Sequence, residues 1–106
     1  MNYLITGAAG GIGSLLTERL IQRGDRPRIF VRDAVKAQAR YGNLVDISAG
    51  DLADVATLTA ALAGIDALFL VNSGPHLVER DEAAAKAAKR AGVKRLVKLS
   101  SIDARE

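Results

Sequence analysis

Cysteine and tryptophan are absent from this 106-residue chain, and His76 is its one histidine. Without cysteine there is neither a disulfide framework nor a thiolate metal site. A lone histidine leaves no plausible zinc cluster, so no metal is expected. Aromatics are equally scarce and scattered, at Tyr3, Phe30, Tyr41 and Phe69. Nucleic-acid binding of the stacking kind wants aromatics beside a basic stripe. Here fifteen Lys and Arg face twelve Asp and Glu for a net charge of +3, which reads as a mixed, solvated surface. No apolar run approaches the ~18 residues of a membrane span. The N-terminus enters an apolar run with no basic stretch before it, so no signal peptide is visible. The expectation is a cytoplasmic protein with neither nucleic acid nor membrane among its partners.

Hydrophobic residues make up 49% of the chain, which excludes disorder, and 106 residues suit a single domain spanning 1–106. Short apolar runs alternate with segments of helical period. Met1 to Thr6 reads as a strand buried on both faces. Ile12, Leu15, Leu16 and Leu20 then form one apolar stripe of a helix running to Arg23, and Gly24 ends it. Pro27 precedes a second strand, Arg28 to Val31. Asp33 can cap a short helix whose apolar face, Val35, Ala37 and Ala39, is thin. Leu44 to Ser48 is a third strand and Gly50-Asp51-Leu52 a turn. Asp54 caps a third helix with Val55, Leu58, Ala61 and Leu62 inward. Ala67 to Val71 is the most clearly buried strand. An alanine-rich helix from Leu77 to Ala91, closed by Gly92, leads to a fifth strand, Arg95 to Leu99, ending at Ser100-Ser101.

That alternation predicts an α/β, Rossmann-like doubly wound fold, a five-stranded parallel sheet in the order 3-2-1-4-5 with helices on both faces. Ligands of such sheets bind beyond the carboxyl ends of the strands, where the order reverses. The stretch Thr6-Gly7-Ala8-Ala9-Gly10-Gly11-Ile12-Gly13 lies at that point, between the first strand and the first helix. A helix N-terminus offers unpaired N–H groups and partial positive charge, which suits a diphosphate. Gly7 would make the tight turn, Gly10 let the backbone approach the ligand, and Gly13 let helix and strand pack closely. Ala9, Gly11 and Ile12 complete the turn. The same residues also fit an ordinary strand-to-helix turn.

Arg32 ends the second strand, where a dinucleotide fold reads the adenosine ribose. An arginine there pairs with a 2′-phosphate, so NADP is expected ahead of NAD. Lys36, one helical turn on, is a candidate second charge. A solvated surface arginine is the alternative, and Asp33, one position later, would be the ribose acid if the strand ended one residue further on, although its better use is helix capping. Asp51 is placed to meet the adenine amino group, with Leu52 lining the ring pocket; Asp51 fits a turn aspartate nearly as well. Asn72 and Ser73 end the fourth strand near the glycine turn, either as ribose contacts or as a polar loop start. Ser100 and Ser101 sit at the height of a nicotinamide, although serines also commonly end strands. Lys98 reads as a surface residue and His76 as a loop residue.

The glycine stretch, Val31-Arg32-Asp33, Gly50-Asp51-Leu52 and the run Ala91 to Ser101 together resemble the NmrA-like, atypical short-chain dehydrogenase/reductase family over essentially the whole chain. The resemblance implies an NAD(P)-binding Rossmann domain, usually with NADP, from a family of quinone or azo reductases and of redox-sensing regulators without turnover. It also implies further strands and a substrate domain after the fifth strand, so this chain matches the nucleotide-binding N-terminal portion. The Tyr-x-x-x-Lys pair of many short-chain dehydrogenases is missing: Tyr3 is followed four residues on by Gly7, and Tyr41 by Val45. No catalytic residue is therefore assigned. The leading reading is the NADP-binding part of an oxidoreductase whose parent passes hydride to a small acceptor such as a quinone. A nucleotide-sensing module and an engineered Rossmann fragment without turnover remain open beside it. The fifth strand is a sheet edge in the expected order, and its Leu96, Val97 and Leu99 suggest a homodimer formed along it.

Overall fold

Strands of consecutive apolar residues need cover on both faces, and helices placed between them provide it. The computed structural model describes residues 1–8, 11–72 and 77–100. Its elements run β1 (Tyr3–Thr6), α1 (Gly11–Gln22), β2 (Arg28–Val31), α2 (Ala34–Tyr41), a 3-10 turn (Gly42–Leu44), β3 (Asp46–Ala49), α3 (Val55–Ala61), β4 (Ala67–Asn72), α4 (Leu77–Arg90) and β5 (Arg95–Ser100). The five strands pair in parallel in the order β3-β2-β1-β4-β5, as the alternating pattern predicts. Ile5 stands beside Ile29 on one flank and Phe69 on the other.

Successive residues of a strand point to opposite faces, and two cores result. Leu4, Phe30, Leu68 and Leu70 pack under α3 and α4, against Leu58, Leu62, Ala84 and Ala88. Ile5, Ile29 and Val31 pack under α1 and α2, against Leu20, Ala37 and Tyr41. The aspartate caps form as expected: Asp33 Oδ1 accepts from Lys36 N at 3.1 Å, and Asp54 Oδ1 from Ala56 N at 3.2 Å. At the sheet edge where the strands begin, Arg28 ties three elements together. Its Nε donates to Asp46 Oδ2 at 2.7 Å and its Nη1 to the carbonyls of Ala61 and Ala63 at 2.7 and 2.8 Å.

Several expected faces are corrected. In α1 the buried residues are Gly13, Thr17 and Leu20, while Leu15 is 63% exposed. The cause is close packing. Thr17 Oγ1 donates to the Gly13 carbonyl at 2.8 Å, so its polarity is met within the helix and its small side chain can face the sheet. In α2 the buried residues are Ala37 and Tyr41, whereas Val35 is 80% exposed and Ala39 is exposed. Val55, expected inward on α3, is 44% exposed. β1 begins at Tyr3, and β3 begins at Asp46 because Leu44 belongs to the 3-10 turn and is exposed. Lys98 is at the surface as expected, yet its Nζ lies 2.9 Å from Oδ2 of the buried Asp81 on α4. Among the described residues, no helix is long and apolar enough to cross a membrane.

Candidate functional site: a cleft at the carboxyl ends of the strands

β1 ends on a threonine whose hydroxyl is fully buried and fully used. Thr6 Oγ1 donates to the Val71 carbonyl at 3.1 Å and accepts from Val71 N at 2.9 Å, so it joins β1 to β4 just beyond their shared ladder. Gly7 follows with φ +65°, a conformation that side chains rarely adopt, and a Cβ there would stand 2.6 Å from the Val71 carbonyl oxygen. Gly13 has a different reason to be glycine. A Cβ on it would overlap the carbonyl of Gly7, because the first turn of α1 lies directly on the strand end. Gly11 faces outward, with nothing within 4 Å of where its Cβ would be. The turn is thus tight against the protein at Gly7 and Gly13 and open toward solvent at Gly11.

Above it lies a cleft of about 710 Å³ along the carboxyl ends of β1, β2 and β4, within the usual range for small-molecule sites. Gly7, Gly11 and Ile12 line it from the glycine turn, Arg32 from the end of β2, and Asp51 and Leu52 from the loop after β3. Those six were expected from sequence, and the fold brings them together. Gly13 lies beneath the turn rather than in the cleft wall. Asn72 ends β4 opposite Ser100 of β5. Ala9, Gly10, Ser73, His76 and Ser101 fall outside the described residues.

The charges in the cleft are unevenly divided. Arg32 lines it from the β2–α2 connection, and Lys36 and Arg40 line it from α2. Arg32 is exposed and makes no ion pair among the described residues. Its neighbour Asp33 also lines the cleft, with Oδ1 serving as the α2 cap. Arg40 Nη2 lies 3.0 Å from Glu18 Oε2, and its guanidinium sits 5.1 Å from the centre of the Tyr41 ring. Burial pushes the Tyr41 hydroxyl above its ordinary pKa; Arg40 lowers it and Glu18 raises it further. Asp51 is a turn aspartate that also lines the cleft. Its Oδ1 accepts from Ala53 N at 2.9 Å. Thr57 holds that loop, its hydroxyl accepting from Asp51 N at 3.1 Å and donating to the Asp54 carbonyl at 2.6 Å.

Sequence reasoning missed four contributors. Thr6 carried a signal, a hydroxyl placed immediately before the glycine turn. Gly50 carried one as well: a Cβ there would come within 2.6 Å of Phe30 Cζ and 2.7 Å of Thr57 Cβ, so the loop can pass over the β2 core only as glycine. Tyr41 was set aside for lacking a lysine partner, yet it lines the cleft. Arg80, on α4, gave no signal, because an alanine-rich helix does not declare which side faces inward. No group of three or more metal-ligating side chains exists among the described residues.

Open α/β sheets take their ligands where strand order reverses, here between β1 and β4, and a glycine turn opening a helix at that point suits a diphosphate. The domain is of the dinucleotide-binding Rossmann class. The chain belongs to the NAD(P)H-binding family, whose model matches residues 7–106. Among curated relatives, the NAD(P)H azoreductase of Xenophilus azovorans is 42% identical over 103 residues, 95% of this chain and 36% of that protein. Among solved structures, Citrobacter sp. triphenylmethane reductase complexed with NADP(H) superposes with a TM-score of 0.79 at 28% identity, over 92% of this chain and 36% of that one. The NADPH-dependent quinone oxidoreductase of Escherichia coli, complexed with NADPH, gives a TM-score of 0.79 at 30% identity, over 91% and 35%. These relatives bear out the resemblance to atypical short-chain dehydrogenases/reductases. The chain spans a little over a third of their length.

Proposed function

We propose that this chain is the NADP(H)-binding part of a cytoplasmic reductase that passes hydride to a small organic acceptor such as a quinone. The observation that carries the cofactor choice is the end of β2. Arg32 and Lys36 both line the cleft, Arg32 has no ion-pair partner among the described residues, and the adjacent acid, Asp33, which also lines the cleft, turns its Oδ1 to the helix cap. A free ribose 2′-hydroxyl would want an acceptor at this place, whereas a 2′-phosphate wants donors and positive charge. The bound nicotinamide would supply the hydride. The chain's own residues hold the carrier: the Gly7–Gly13 turn under the diphosphate, Arg32 and Lys36 at the 2′-phosphate, Asp51 and Leu52 at the adenine, and Asn72 and Ser73 toward the riboses. Relatives named as azo and quinone reductases support the acceptor class. The reading includes a homodimer formed along the outer edge of β5.

Calorimetric titration tests the cofactor assignment. NADP⁺ is expected to bind at least about tenfold more tightly than NAD⁺, since hydrogen bonds to charged groups contribute ~1.5–3 kcal/mol. Arg32→Ala is expected to erase most of the difference while leaving NAD⁺ affinity nearly unchanged. Equal affinities in the native chain would overturn it.

A further inference from the structure

α4 carries a cation that the glycine turn, the β2 end and the adenine loop leave unexplained. Arg80 lines the same cleft as Gly7 and Arg32, but from the α3–α4 face of the sheet, the face on which Leu52 also packs. Its position follows from helical period. Arg80, Ala84, Ala87 and Ala88 fall on one stripe, and the three alanines are buried against β4 and its neighbours. Arg80 therefore continues the buried stripe one turn toward the helix start, past the rim of the core. There the stripe emerges over the carboxyl edge of the sheet, where the cleft lies. The side chain is half-buried, and it makes no ion pair among the described residues. Its neighbour Asp81 is buried, with Oδ2 2.9 Å from Lys98 Nζ.

A half-buried guanidinium facing a cleft favours an anionic occupant. Topology says which anion. α4 follows β4, and β4 is the strand paired with β1, from which the glycine turn departs. The 2′-phosphate group of cations belongs to α2, on the opposite face and two strands away along the sheet. The geometry points to Arg80 as the diphosphate's cationic partner, reaching over the glycine turn from α4 while Arg32 and Lys36 hold the far phosphate. This assignment rests on the dinucleotide reading above. It adds an attraction common to NAD and NADP, separate from the one that distinguishes them.

Two half-ligands divide the roles. ADP carries the diphosphate without a 2′-phosphate, and 2′-AMP carries the 2′-phosphate without a diphosphate. Arg80→Gln keeps much of the aliphatic stem and removes the charge, so thermal unfolding should be unchanged. Titrated into the chain, this variant is expected to bind ADP and NADP⁺ about tenfold more weakly than native, with 2′-AMP unaffected; Arg80→Lys should recover most of the loss. Arg32→Ala should show the opposite pattern. Unaltered ADP affinity in Arg80→Gln would overturn the assignment alone. So would an equal loss for ADP and 2′-AMP, which would mean that the guanidinium stacks on adenine or only shapes the cleft. A native chain that binds neither half-ligand nor NADP⁺ would overturn the dinucleotide reading and this one with it.

Discussion

The Tyr41 hydroxyl is buried without a hydrogen-bond partner. Burial disfavours the phenolate, and the nearby Glu18 carboxylate adds to that, while Arg40 opposes both; the net effect lifts the pKa above its ordinary 10.0. The unfolded chain then releases this proton at a lower pH than the folded one. Stability is fully present below pH 10 and declines as pH rises from the unfolded value toward the raised folded one. Tyr41→Phe should flatten that decline. At pH 7 the variant should be as stable as native or slightly more so, since it removes a buried, unsatisfied hydroxyl. Denaturation midpoints of both chains from pH 7 to 11 decide it, and parallel alkaline slopes would refute the claim. At this scale sequence was informative where a residue acts on its own neighbours. Asp33 and Asp54 sit at helix starts and bond within three residues, so their roles needed no knowledge of the fold. Tyr41 was opaque because its role depends on α1, which supplies Glu18 from a distant part of the chain.

Helix α1 and strand β1 show what an element-level reading catches and what it misses. The existence of α1 was plain from the glycine turn and the apolar period, but its rotation was misjudged. Counting apolar letters favoured Leu15 over Thr17, whereas packing favours small residues where a helix lies close on a strand end. Gly13 and Thr17 provide that closeness, and Leu15 is displaced to the surface. The same limit hid Arg80, since helix α4 offers alanines at many phases. Strand order was legible, by contrast, because right-handed parallel crossovers leave few arrangements. The packing account makes a paired prediction. Gly13→Ala must push the first turn of α1 away from the Gly7 carbonyl, a backbone group that cannot swing aside, and should cost ~1–3 kcal/mol while weakening NADP⁺ binding. Gly11→Ala meets open space, so stability should hold or rise by up to ~1 kcal/mol. Urea unfolding of the two variants checks this, and equal effects at both positions would refute the division of labour within the turn.

For the whole molecule, the sheet presents two different borders. β3 is narrow, with Asp46, Ile47 and Ser48 half-buried along it. β5 is longer, six residues from Arg95 to Ser100, and pairs with β4 along its full length. On its other side no strand is paired among the described residues. Leu96 and Val97 are 43% and 38% exposed there. A strand edge of that kind offers unpaired N–H and C=O groups to another chain, and apolar side chains next to it add a hydrophobic contribution. A second copy related by a two-fold axis would present the same edge and satisfy both. Charge opposes this pairing. Lys94 and Arg95 are exposed at the head of the strand, and like charges set opposite one another are destabilising. Lys98 is the exception that favours it, because Asp81 already holds its ammonium group. A dimer along this edge is expected to form more readily as salt screens the remaining cations. Sedimentation at several protein and salt concentrations should show a monomer–dimer equilibrium in the micromolar range, shifted to monomer by Val97→Lys. A native chain that stays monomeric at high micromolar concentration in both low and high salt would rule the dimer out.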